Sequence, residues 1–240
     1  MRPYLISSLL IVAACSPSTE GPTPKVIGTV NPLQPFINPA RVCNTQGAEH
    51  GWRINLIGEH FTPVPQDVLT GEPGVGLPEV TLKGPATLTV DRDRVLYRDA
   101  ALMSLDIPTR DTTPSADLPA GSYTVEVRNL GGGTGELADV LLIVPPPTVT
   151  RVTAPQGFNF SDISPLVVEG LDFRTDTFPV MKLQRAGAEE VEVFTLTVDS
   201  PTRISTELPP GTSAGTYDFM LTNPEGCSFT LSNALTISYP

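Results

Sequence analysis

Histidines, cysteines and clustered carboxylates are the side chains from which metal sites, acid-base pairs and nucleophiles are built. The 240-residue chain carries two histidines, His50 and His60. They bracket one strand-like stretch, and ten residues at about 3.3 Å each put them roughly 30 Å apart, too far to share a metal ion. Carboxylates are more plentiful, at Asp91, Asp93, Asp99 and Asp106 and at Glu189, Glu190 and Glu192. Asp91 and Asp93 could contribute to a Ca²⁺ site, but such a site takes about six to eight oxygens and the spacing of a calcium loop is missing. Charges on the solvated face of a sheet are the plainer reading. No serine stands in Gly-x-Ser-x-Gly and no His-Glu-x-x-His is present, while Gly131-Gly132-Gly133-Thr134-Gly135 lacks the lysine and following helix of a phosphate loop. That glycine run is expected to turn a hairpin. The expectation is a protein that is not an enzyme and holds neither metal nor cofactor.

Cys15 is a different case. Met1 and Arg2 precede the apolar run Leu5 to Val12, too short to span a bilayer as a helix, and Val12-Ala13-Ala14-Cys15 follows. Small residues after a short apolar core read as a signal peptide. A cysteine at the cut resembles the bacterial lipobox, which implies cleavage before Cys15 and diacylglyceryl transfer to its thiol. A plain secretory signal with an incidental cysteine is the alternative. Ser16 in place of an aspartate points, by analogy with Gram-negative sorting, to the outer membrane. The next residues, Ser16 to Pro24, hold three prolines and no apolar side chain to bury, which predicts an extended tether rising about 3 Å per residue.

The elements behind these residues follow from composition. Twenty-six prolines and twenty glycines break every helical window of ordinary length beyond the first fifteen residues, since internal proline removes a donor and clashes with the preceding turn. Turn-rich β structure remains. Fifteen basic against twenty-six acidic residues leave a net charge of −11, which repels a nucleic-acid backbone or an anionic lipid surface.

The chain repeats itself. Trp52 to Phe61 aligns with Ser164 to Phe173, both ending Gly-x-x-Phe after alternating apolar residues. Ala120 to Asn129 aligns with Ala214 to Asn223, so that Tyr123, Val125 and Val127 share one strand face as Tyr217, Phe219 and Leu221 do. Leu141 and Leu235 each follow the aligned asparagine by twelve residues. Each unit opens with a strand ending near proline, Val26 to Pro32 and Val149 to Pro155. Further strands are expected over Val80–Leu82, Leu88–Val90, Met103–Ile107, Val180–Leu183, Val191–Val198 and Ile204–Leu208, about seven per unit, as in an antiparallel β-sandwich. Pro145-Pro146-Pro147 makes a stiff joint between the units.

Opening strand, Gly-x-x-Phe, Gly-[Ser/Thr]-Tyr, glycine- and asparagine-rich hairpin and closing strand together resemble the IPT/TIG family of immunoglobulin-like domains. The resemblance implies an all-β fold of two tandem sandwiches, used in receptors, surface proteins and enzyme accessory modules, generally without catalysis. The chain then divides into a signal peptide (1–14), a proline-rich tether (15–24), a first domain with loop insertions (25–147) and a second domain (148–240). DNA-binding members of the family are disfavoured here by the acidic charge and the export signal.

The first unit carries the longer loops. Seventeen residues, Thr62 to Pro78, follow Phe61 where six follow Phe173, and long loops on a rigid scaffold are where binding usually resides. Thr62, Val64, Gln66, Asp67, Leu69, Glu72, Gly74 and Leu77 are therefore candidate binding residues, expected beside the Gly131–Gly135 hairpin at the membrane-facing pole. Tolerated drift is the competing reading. Trp52 could be a sugar platform, yet its register with Ile54 and Leu56 favours packing. Phe158, Phe160 and Phe178 are the other aromatics that a sugar-binding surface could use. Cys43, in the segment between the first and second strands, and Cys227, in the last hairpin, should both fall at the poles that face each other across the prolines. An exported compartment preserves disulfides, so a Cys43–Cys227 bond between the domains is expected, with Cα atoms within about 7 Å; two free thiols are the alternative. The functional expectation is a lipid-anchored cell-envelope protein, held to the membrane by its lipid, that binds or supports an envelope protein or polysaccharide. A carbohydrate-binding module or accessory subunit of an envelope enzyme is the runner-up.

Overall fold

A computed structural model describes residues 21–45, 51–65, 74–109, 111 and 118–239. No α-helix occurs among them; one 3₁₀ turn, Arg92–Arg94, interrupts eighteen strands. In the first half these are β1 (Lys25–Val30), β2 (Ala40–Cys43), β3 (Trp52–Glu59), β4 (Val64–Pro65), β5 (Val75–Gly76), β6 (Glu79–Lys83), β7 (Thr87–Thr89), β8 (Val95–Asp99), β9 (Leu102–Ile107), β10 (Gly121–Arg128) and β11 (Thr134–Val144). Those in the second half are β12 (Thr148–Thr153), β13 (Ser164–Leu171), β14 (Val180–Gln184), β15 (Val191–Ser200), β16 (Arg203–Leu208), β17 (Gly215–Thr222) and β18 (Ser228–Ile237).

The first half forms one sheet in the order β1-β3-β9-β8 and a second in the order β2-β11-β10-β6-β7, an immunoglobulin-like pair of layers. Alternation in β3 buries Ile54 and Leu56 and turns Arg53 outward. Its inner face meets Tyr123, Val125 and Val127 of β10. In the second half β12 to β18 are hydrogen-bonded in one continuous order, β12-β13-β16-β15-β14-β17-β18. The ten-residue β15 makes that possible: Val191–Val193 pair with β14 and Phe194–Ser200 pair with β16, so one strand serves both layers. In the first half β7 and β8 divide that job on either side of the 3₁₀ turn. Each half has its own apolar core, and a third small cluster of Cys43, Val144 and Cys227 lies between them with Trp52 against it.

The repeat seen in the sequence has a physical basis in both halves. A Cβ on Gly58 would fall 2.3 Å from the Phe61 ring and from the Lys25 carbonyl, and one on Gly170 would fall 2.5 Å from the Phe173 ring. Only glycine lets the ring fold back over the strand. The turn between them places His60 and Asp172 at φ of 61° and 59°. Asn129 Nδ2 donates to the His60 carbonyl at 2.7 Å, and Asn223 Nδ2 donates to the Asp172 carbonyl at 3.0 Å. The tyrosines do the same at the other pole, Tyr123 Oη to the Pro119 carbonyl and Tyr217 Oη to the Ser213 carbonyl, each four residues upstream, the tyrosine corner of immunoglobulin-like sandwiches.

Four sequence expectations change. Cys43 lies in no loop; it ends β2, which runs parallel to β11 with Cys43 opposite Val144. Parallel pairing at this edge is invisible to periodicity in a four-residue strand. Strand β8 goes unforeseen because Asp91-Arg92-Asp93-Arg94 reads as a polar surface stretch. The first half has nine strands in its two sheets, not about seven, and the second has seven. Residues 21–24, expected to belong to an extended tether, lie against the first sandwich: Gly21 N–H donates to the Gly131 carbonyl at 2.5 Å and Gly21 bridges Gly132. Proline does not oppose this, since the bonds use the Gly21 backbone and the Pro22 carbonyl, which a proline ring leaves free to accept.

Candidate functional site

Three regions hold the residues singled out by sequence. The first is the pole of the first sandwich where the chain enters. Asn129, buried at the end of β10, donates to the Pro22 carbonyl at 2.9 Å as well as to His60, and its Oδ1 accepts from Thr62 N–H at 3.1 Å. One side chain thus joins the entering chain, the Gly-x-x-Phe turn and the start of the Thr62–Pro78 loop. Val64 lies against Gly131 of the hairpin, and β4 pairs with β5 as a two-stranded ribbon. Gly74 precedes that ribbon's second strand, and Leu77 packs against the core and lines a cleft of about 430 Å³ with Val90, Arg92 and Leu130. Gln66, Asp67, Leu69 and Glu72 lie outside the described residues, as do Cys15 and His50.

The second region is the joint. Cys43 and Cys227 form a disulfide with Cα atoms 5.5 Å apart and a sequence separation of 184. Trp52 is half-buried: its Nε1 donates to the Thr45 carbonyl and its ring faces Gly226, where a Cβ would fall 2.5 Å from it. Its packing spans both halves, so it is neither an open sugar platform nor solely a core residue of the first domain. Arg41 forms a two-pronged pair with Asp176 across the joint, at 2.9 and 2.5 Å. That fork holds the Asp176 carboxyl below its ordinary range and raises the Arg41 guanidinium. Deeper in, Arg174 donates to the fully buried Glu225 at 2.8 Å and to the carbonyls of Pro145 and Asp172 at 3.0 Å. The proline joint is therefore clamped by a carboxylate-arginine pair that also grips its backbone.

Asp91 and Asp93 flank Arg92 in the 3₁₀ turn, and Asp106 is buried under Arg53 at 2.7 Å. Glu190 accepts from Lys182 and Gln184, which lowers its pKa. Among the described residues no group of three histidines, cysteines or acids is placed to hold a metal ion.

The third region was only half visible in sequence. The loop after β12 brings Phe158 and Phe160 together with Tyr239, whose ring meets Phe160 edge to face at 5.3 Å. With Gln156, Asn159, Asp162, Ile163 and Ser164 they line a cleft of about 520 Å³. Phe178 lies elsewhere, beside Asp176. Tyr239 stands some eighty residues from Phe160 in the chain, and only sandwich topology makes them neighbours.

No family model and no curated protein sequence matches the chain. Solved structures do. A Bacteroides ovatus mixed-linkage glucan utilization locus SGBP-B, in complex with a mixed-linkage heptasaccharide, is 17% identical over 82% of this chain and 46% of its own, with a TM-score of 0.28. A tetra-tandem repeat in the extending region of a large adhesion protein is 13% identical over 82% and 48%, at 0.33. An I-band fragment of titin is 13% identical over 90% and 66%, at 0.31. This chain spans about half the length of the first two. The immunoglobulin-like assignment rests on this chain's own paired layers and tyrosine corners, and such a fold hosts many functions.

Proposed function

We propose that this is a non-enzymatic, lipid-anchored cell-envelope protein of the IPT/TIG type, whose two immunoglobulin-like domains act as one fixed arm that binds or supports another envelope component. The observation that carries this is the clamped joint. A disulfide, a buried Arg174–Glu225 pair and the Arg41–Asp176 fork act on one three-proline linker. Independent modules would not need them, whereas an arm that presents a surface at a set direction does. The disulfide also supports residence in an oxidising compartment, in keeping with the signal peptide read at Cys15.

The entering chain supports the direction. Six Cα-to-Cα steps separate Cys15 from Gly21, at most about 20 Å of extended backbone. The pole bearing Thr62, Val64 and the Gly131 hairpin is then held near an outer-membrane surface, and the second domain points away. Lipid labelling tests the anchor: Cys15→Ser is expected to abolish labelling and release the protein from membranes. A variant that stays uncleaved and membrane-bound overturns it. Binding is tested by capture from envelope extracts, in which wild type should retain a component that a joint-opened Cys43→Ser/Cys227→Ser variant retains less well.

A further inference from the structure

We infer that the cleft at the far end of the second domain binds a sugar ring of a neutral polysaccharide. This deepens the binding reading above and rests on it for the orientation of the arm, though not for the chemistry of the cleft.

The place comes first. β12 leaves the joint at Thr148 and ends at Thr153, and β13 returns from Ser164, whose end of the strand pairs with Leu208. The loop between them therefore lies at the pole opposite Cys227. Two further segments converge there. Gly211 N–H donates to the Phe160 carbonyl at 2.8 Å, and Tyr239 Oη donates to the Thr212 carbonyl. The cleft wall is thus tied to two neighbouring segments.

Its lining selects the ligand. At about 520 Å³ it lies within the range of small-molecule sites, roughly 300–1,000 Å³. Phe160 is 53% exposed and Ile163 54% exposed, a large apolar offering for one loop. Phe160 and Tyr239 stand at 86° to each other, so the cleft presents one ring face and one ring edge in place of a flat stack. The polar groups are an amide at Gln156, the Asn159 amide and the Asp162 carboxylate. Asn159 Nδ2 donates to Asp162 Oδ2 at 2.7 Å, and Asn159 Oδ1 accepts from Ser161 N–H at 2.9 Å. These bonds hold both side chains in place, so that the second Asp162 oxygen accepts from a ligand without a further ordering cost.

No lysine, arginine or histidine lines the cleft, which disfavours phosphate, sulfate and uronate ligands. A purely apolar ligand would strand the amide and carboxylate groups, and leaving buried polar groups unpaired is costly. A neutral sugar meets both demands. Its C–H face packs on an aromatic ring, and its hydroxyls donate to carboxylate and amide oxygens.

The test uses the full chain purified in detergent. Migration is followed in native gels containing a neutral β-glucan, mannan or galactan, with polygalacturonate and a protein-coated gel as controls. Wild type is expected to be retarded by at least one neutral polymer. Phe160→Ala and Gln156→Ala, both at exposed positions, are expected to weaken that retardation at least tenfold and threefold while the melting temperature holds. Absence of retardation by every neutral polymer, retardation unchanged in Phe160→Ala, or retention only by polygalacturonate overturns the proposal. So does retention only by the protein-coated gel, which would mean a peptide ligand. Lipid labelling and membrane fractionation remain informative in every case, so failure of the cleft is distinct from failure of the anchored-arm reading.

Discussion

Cys43 and Cys227 stand 5.5 Å apart at Cα across a joint whose two sides are otherwise made by separate hydrophobic cores. Neither cysteine belongs to either main core, so the bond constrains orientation more than it completes a domain. Cys43→Ser/Cys227→Ser is therefore expected to leave both sandwiches folded and to broaden the interdomain distance distribution in solution scattering. In the wild type, non-reducing peptide mapping should recover the two cysteines in one linked peptide. A Cys43 peptide that alkylates without reductant refutes the bond.

Arg174→Ala should be the most damaging single change at the joint. It leaves the fully buried Glu225 carboxylate without its cation and strips the Pro145 carbonyl of a donor. Breaking one side of such a pair costs about 3–5 kcal/mol. Replacing both, as in Arg174→Met/Glu225→Leu, should cost less than Arg174→Ala alone. Chemical denaturation of the three proteins decides this, and equal losses would remove the stranded charge from the explanation.

Gly226→Ala offers a complementary probe. The new methyl would meet the Trp52 ring at 2.5 Å, and the residue sits at φ of 99°. Both strain and overlap oppose it, the latter alone costing about 1–3 kcal/mol. Trp52 is the chain's one tryptophan, so its emission spectrum should shift red as the joint opens. An unchanged spectrum would place the ring elsewhere.

Acid should loosen the Arg41–Asp176 fork. The folded Asp176 carboxyl lies below its ordinary value because Arg41 donates to it. A depressed acid contributes its stability above the unfolded pKa, about 3.9, and loses it as pH falls through the folded value. The stability gap between wild type and Asp176→Asn should therefore be constant from about pH 5 to 7 and close below about pH 4. A gap that persists at lower pH removes the charge from the explanation.

Asn129 and Asn223 occupy matching positions with unequal burdens. Asn129 serves His60, Pro22 and Thr62, whereas Asn223 Nδ2 serves Asp172 and its buried Oδ1 meets no protein donor. With each orphaned buried group costing about 1–3 kcal/mol, Asn129→Ala should destabilise its domain by roughly 2–4 kcal/mol and Asn223→Ala by less. Thermal melts of the two variants test the order. Asn129→Ala should also free residues 21–24 for proteolysis.

Period-two alternation, glycine and proline punctuation and a repeated motif are local signals, and they were enough to set the all-β class, the second domain's seven strands, the hairpin at Gly131 and the strand faces of Tyr123 and Tyr217. The disulfide was legible too, because sandwich topology assigns segments to poles before any coordinate is known, although Cys43 reaches its pole as the end of β2 and not in a loop. Other features required tertiary structure. The β2 strand pairs in parallel with a partner about a hundred residues away, and no local pattern encodes such pairing. Gly21 joins the hairpin through backbone groups that carry no side-chain signature. Trp52 reads as core because its register is right, but whether a strand's end abuts its own core or a neighbouring domain depends on the joint. The far cleft needs Phe160 and Tyr239 together, and their meeting is a consequence of how β12 and β18 return to the same pole, since chain distance says nothing about which loop ends share a face.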